Sequence, residues 1–190
     1  MTVGSMQQAL AIASLTLFVA LAVTFYLVLR RASHVVAVTR EDEGFRHDAA
    51  ALTDRAATYI ADACERIDRV RRHQDPPDSL DGILPATLEA LVGLRAEIET
   101  LAAPTVLVPL RDRIADEMGR AGRAVKAVQH GCALLGVTAG RPHELEGETS
   151  IKRGYLNLMH AREALMTLGV DLRSGRVDAR RWFSDRPPTG

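Results

Sequence analysis

An apolar run extends from Ala9 to Leu29, interrupted only by hydroxyl-bearing side chains and free of any charged residue. At ~1.5 Å rise per residue a helix of about 20 residues covers the ~30 Å hydrocarbon core of a bilayer. The pattern therefore predicts one membrane-spanning helix. A cleaved secretory leader fits less well, because "MTVGSMQQ" ahead of the run carries no basic residue and no small-residue cleavage site follows it.

Beyond the run the pattern changes to the three-four spacing of amphipathic helices. Phe45, Ala49, Leu52, Ala56, Ile60, Ala63, Ile67 and Val70 mark one face of a first helix over about 45–74. On its other side Asp62 and Arg66, Glu65 and Arg69, and Asp68 and Arg72 form acidic-to-basic pairs at i,i+4, the arrangement of a solvated stripe. "HQDPPDS" ends it, since a helix interior does not tolerate Pro76 and Pro77. A second helix over about 85–103 places Leu84, Leu88, Leu91, Leu94, Ile98 and Leu101 on one side, with Pro85 in its first turn.

Pro104 separates this from a third helix over about 107–136, whose stripe is Leu110, Ile114, Met118, Ala121, Val125, Val128, Cys132 and Leu135. "GVTAGRPHELEGETS" reads as a loop. A fourth helix over about 150–169 follows, with Ile151, Tyr155, Leu158, Ala161, Leu165 and Leu168 on its apolar side. No stretch alternates with period two in the manner of a strand. The expected fold is all-α: one N-terminal transmembrane helix (1–31 with its short tail, span about 9–29), a juxtamembrane segment (32–44), an antiparallel up-down-up-down four-helix bundle (45–169) and a basic, flexible tail (170–190). A break or bend is expected near Glu41–Gly44, because a helical glycine is ~1 kcal/mol worse than alanine.

Charge sets the expected orientation. Arg30 and Arg31 directly follow the span, with His34 and Arg40 beyond, so the rule that arginine and lysine stay cytoplasmic puts the N-terminus outside and the bundle inside the cell membrane. The chain of 190 residues carries 24 basic and 24 acidic side chains, a balance that points away from a nucleic-acid partner. Cys64 and Cys132 lack CxxC spacing and lie in helical stripes, which predicts reduced, buried thiols.

Candidate chemistry is sparse. No glutamate is followed three residues later by histidine, so the spacing that builds di-metal sites in bundles is missing; His160 and Glu163 give the reversed order. His143 in "PHELEG" shares His-Glu-Leu with the phospho-accepting box of sensor kinases but lacks the rest of it, and His130 lies off the third helix's stripe without the expected lysine-glycine pair. Gly119 and Gly122 are expected to permit close helix approach. The sequence accordingly predicts no catalytic, cofactor or metal residues and a protein that works by contact with the bilayer and with an unidentified protein partner. A phosphorelay component, or an extracytoplasmic sensor of inverted topology, is the alternative.

Two further features bear on partners. Thr16, Ala20 and Thr24 form a small-residue stripe through which two membrane helices could associate into a homo-oligomer. In the tail, Arg180, Arg181, Trp182 and Phe183 set an aromatic pair among arginines, which suits an anionic membrane surface or a partner groove. Packing of Trp182 on the bundle is the competing reading.

Overall fold

The computed structural model describes the backbone of residues 3–136 and 140–175, and the side chains of 21, 23–26, 41–136 and 143–175. These residues form α1 (Val3–Arg71), a 3₁₀ turn (Pro77–Leu80), α2 (Ile83–Thr100), α3 (Val108–Gly136) and α4 (Gly140–Ser174), with no strand among them. The chain divides into two compact units, Met1–Glu43 and Gly44–Gly190.

In the first unit the backbone is helical from Val3, and Leu21, Val23, Phe25 and Tyr26 are each more than half exposed. Among the described residues no helix is long and apolar enough to cross a membrane. The span predicted over 9–29 falls largely on residues whose side chains lie outside the described set, as do Arg30, Arg31, Thr16 and Ala20; Thr24 is described and is exposed. The break predicted near Glu41–Gly44 is absent, for the backbone there is helical. A single glycine is a penalty of only ~1 kcal/mol, too small to interrupt a helix whose hydrogen bonds continue on both sides.

In the second unit the stripe from Phe45 to Val70 is buried along its length. The helix then stops through chain geometry before the prolines are reached. His73 adopts the left-handed conformation (φ 56°) and its N–H donates to the Val70 carbonyl at 2.9 Å, while Gln74 N–H donates to the Arg69 carbonyl at 2.9 Å. This pair of bonds is the Schellman termination, with histidine at the position usually given to glycine. Arg69 Nε lies 3.0 Å from Asp75 Oδ2 and ties the turn to the helix end. Of the pairs on the solvated stripe, Glu65–Arg69 closes to 3.8 Å and Asp68–Arg72 to 2.7 Å.

Contacts between helices fix their order. Arg55 on α1 meets Glu97 on α2 at 3.3 Å, and Arg95 and Leu88 on α2 lie against Gly119 and Gly122 on α3. Gly131, then Ala124, on α3 face Gly147 and Gly154 on α4, so the two run in opposite directions. Asp54 and Arg71 on α1 meet Arg173 and Tyr155 on α4, again antiparallel. The four helices form a ring, each beside its sequence neighbours, around a core that includes Ile60, Ile67, Leu91, Ile98, Ile114, Met118, Leu158 and Leu165. Each such side chain contributes ~1.5–3 kcal/mol on leaving water.

α4 begins at Gly140, ahead of the start at about 150 predicted from the sequence, and continues to Ser174, past the predicted end at 169. Of the glycines that suggested a loop, Gly147 serves a different purpose, since a Cβ on it would come within 2.9 Å of the Gly131 carbonyl oxygen. A Cβ on Gly131 would come within 2.7 Å of the Gly147 carbonyl oxygen, and one on Gly154 within 2.6 Å of Val128 Cγ2 and 2.9 Å of the Ala124 carbonyl. The α3 and α4 backbones therefore approach closely here, and Ser150 Oγ donates across the seam to the Ala127 carbonyl at 2.8 Å. The same comparison corrects the expectation for Gly119 and Gly122. A Cβ on Gly119 would meet only the movable guanidinium groups of Arg95 at 3.0 Å and Arg123 at 3.6 Å, and on Gly122 only Leu88 at 3.5 Å, so neither is a point of close backbone approach. Leu172, assigned from sequence to the tail, is buried in the core.

Candidate functional site

α4 carries two apolar stripes. The inner one consists of Gly147, Ile151, Gly154, Leu158, Ala161, Leu165, Leu168 and Leu172, alternating steps of four and three, all buried. The outer one, Leu156, Met159, Met166 and Val170, follows the same register displaced by two residues. At 3.6 residues per turn, two residues correspond to ~200° of rotation, so the outer stripe lies nearly opposite the core. Its members are 46%, 37%, 49% and 58% exposed.

The outer stripe borders a shallow depression of about 690 Å³, completed by Tyr155, His160, Arg162, Glu163 and Thr167. Tyr155 forms one end, where the Arg71 guanidinium stacks 4.6 Å from its ring centroid. Glu163 sits midway along the stripe and pairs with no cation among the described residues. The surface is thus shallow and largely apolar, with His160, Arg162, Glu163 and Thr167 as its polar members. An amphipathic helix ordinarily exposes a polar face to water, whereas α4 presents apolar side chains on the side away from the core.

The other depressions are of a different kind. One of about 450 Å³ at the bundle end lies between Val70, Arg71, His73, Asp75, Leu135, Glu144, Glu148, Ile151 and Lys152. Its cations and carboxylates are mixed, which favours neither an anionic nor a cationic ligand. Another, of about 370 Å³, lies beside Leu80, Leu84, Gln129 and Cys132.

The histidines singled out from the sequence are dispersed. His130 is exposed on α3; His143 is exposed in the first turns of α4, whose "PHELEG" is helical and not a loop; His160 and Glu163 both border the outer depression. Among the described residues no three His, Cys, Asp or Glu side chains converge as a metal site would require. Both cysteines are free; Cys64 is buried as the sequence predicts, whereas Cys132 is only half-buried, near the end of α3. Burial raises the Cys64 thiol to about 11, against a smaller lowering by the Arg162 guanidinium, and burial likewise raises Cys132 to about 11, with Asp81 and Asp78 adding in the same direction. Such thiols stay protonated and unreactive near neutral pH. Arg180, Arg181, Trp182 and Phe183 lie outside the described residues.

The outer stripe was missed from the sequence because Met159, Met166 and Val170 are separated by polar residues and one apolar face had already been assigned to the helix. The signal was present as a second three-four series offset by two. No protein-family model, curated protein or solved structure matches the chain.

Proposed function

We propose that the chain is a single-pass membrane protein whose bundle lies in the cytoplasm and acts without catalysis, by contact with a second protein. Residues 9–29 form the span and Arg30 and Arg31 hold the following chain inside. The exposure of Leu21, Val23, Phe25 and Tyr26 supports this, since a helix bare of protein at such side chains is accommodated by lipid. The observation that carries the contact reading is the outer stripe of α4. Its register suits an amphipathic partner helix with apolar residues at the same three-four spacing and a basic residue set against Glu163.

Two measurements test this reading. A fluorescent protein joined after Gly190 is expected to mature and an alkaline phosphatase there to stay inactive; the opposite result reverses the topology. A photo-crosslinking amino acid at Met166 is expected to capture a protein in native membranes that the same group at Val92, exposed on α2, does not. Equal capture at both positions refutes the α4 surface.

A further inference from the structure

We infer that the depression at the bundle end is a binding site for a small zwitterion with an aliphatic body, a free amino acid of the leucine class. Glu144 and Glu148 take its ammonium group, Lys152 and His73 take its carboxylate, and its side chain rests on the apolar floor. The site shares no lining residue with the depression on the outer side of α4, so it stands apart from the protein contact proposed there.

Shape and charge lead to this assignment. The depression measures about 450 Å³, within the ~300–1,000 Å³ of small-molecule sites. Its floor is apolar, for Val70 and Ile151 belong to the buried core and Leu135 packs against it. The rim is charged, and part of that charge is already engaged. Asp75 pairs with Arg69 at 3.0 Å, and Arg71 meets Asp68 at 3.5 Å while its guanidinium stacks on the Tyr155 ring. Glu144, Glu148, Lys152 and His73 also border the depression, and make no ion pair among the described residues.

Glu144, Glu148 and Lys152 follow one another at four-residue steps on α4, ~6 Å of helix between successive members. Glu148 and Lys152 have the i,i+4 order that ordinarily closes into a pair, as Asp68 and Arg72 do at 2.7 Å. Here the two border the depression without meeting, which leaves a carboxylate and an ammonium group for a ligand that carries the opposite of each. A purely anionic molecule would be repelled by Glu144 and Glu148, and a purely cationic one by Lys152; a molecule with both charges is matched at both.

His73 is an independent pointer to a ligand. Its φ of 56° is a conformation that glycine would take without penalty, yet the position carries an imidazole, and that imidazole borders the depression. Side chains held in this sparsely populated region gather at ligand sites.

Isothermal titration of the full-length protein in detergent micelles tests the site, with L-leucine, its deaminated analogue isocaproate and its decarboxylated analogue isoamylamine as probes. Leucine is expected to bind saturably, and each analogue, lacking one charge, about tenfold or more weakly. Lys152→Met and Glu148→Gln, both at exposed positions, should each weaken leucine by a similar factor with helical circular dichroism unchanged. His73→Gly should weaken leucine binding although it relieves the backbone at the end of α1, a combination that a merely structural histidine would not produce. Absence of saturable leucine binding overturns the inference. Equal binding by either analogue would show that one charge suffices, and overturns it as well. Leucine binding that ignores both Lys152→Met and Glu148→Gln would put the molecule elsewhere on the protein, with the same consequence.

Discussion

Alanine at Gly131 and alanine at Gly93 should change stability in opposite directions, although both replace a glycine within a helix. Gly93 is exposed on α2, and a Cβ built there meets nothing within 4 Å. Substitution at that position collects the helix-propensity difference, ~1 kcal/mol in favour of alanine. At Gly131 the same methyl would lie 2.7 Å from the Gly147 carbonyl oxygen, 2.7 Å from Ile151 Cγ1 and 3.0 Å from Ile151 N. Two of these atoms are backbone, so relief requires α3 and α4 to separate along their seam, against the Ser150–Ala127 hydrogen bond. Overpacking of this kind costs ~1–3 kcal/mol and should fall in the upper part of the range, leaving Gly131→Ala ~1–2 kcal/mol less stable after the propensity gain. The unfolded chain is affected alike at both sites, so the difference of ~2–3 kcal/mol isolates the seam. Urea denaturation of the segment Glu43–Gly190, followed by far-ultraviolet circular dichroism, measures it. Equal stabilisation by the two alanines would refute the close approach of α3 and α4.

Two further tests concern the end of α1 and the thiols. His73→Gly removes the steric penalty of a side chain at φ 56° and should stabilise by ~1 kcal/mol in the same denaturation assay, whereas His73→Val should destabilise. Cys64 and Cys132 should react with a thiol reagent at pH 8 far more slowly than in urea. Because folding raises both thiols from 9.0 to about 11, the unfolded chain loses its protons first. Stability that is complete below pH 9 should therefore fall as the pH rises toward 11, and pH-independent stability across that window would contradict burial of the thiols.

The chain's local pattern was sufficient to determine that the protein is all-helical and which faces of the first three bundle helices enter the core. Ile60, Leu91 and Ile114 each sit in a three-four series, and such a series is a property of one helix that needs no knowledge of its neighbours. The apolar run at 9–29 and the arginines after it belong to the same local kind of information. Pairwise properties were decided only by tertiary structure. "PHELEGETS" contains a proline and a glycine that suggest a loop, yet it is helical, because Pro142 falls in the first turn of α4 and Gly147 is a point of close approach to the α3 backbone. Gly119 and Gly131 are indistinguishable as letters within one helix. One faces a movable arginine and the other a neighbouring backbone, a distinction set by the distance between two helices. The outer stripe of α4 follows the same logic: its spacing is written in the sequence, but its exposure results from the rest of the bundle covering only the opposite side, which leaves Leu156, Met159, Met166 and Val170 outside the core.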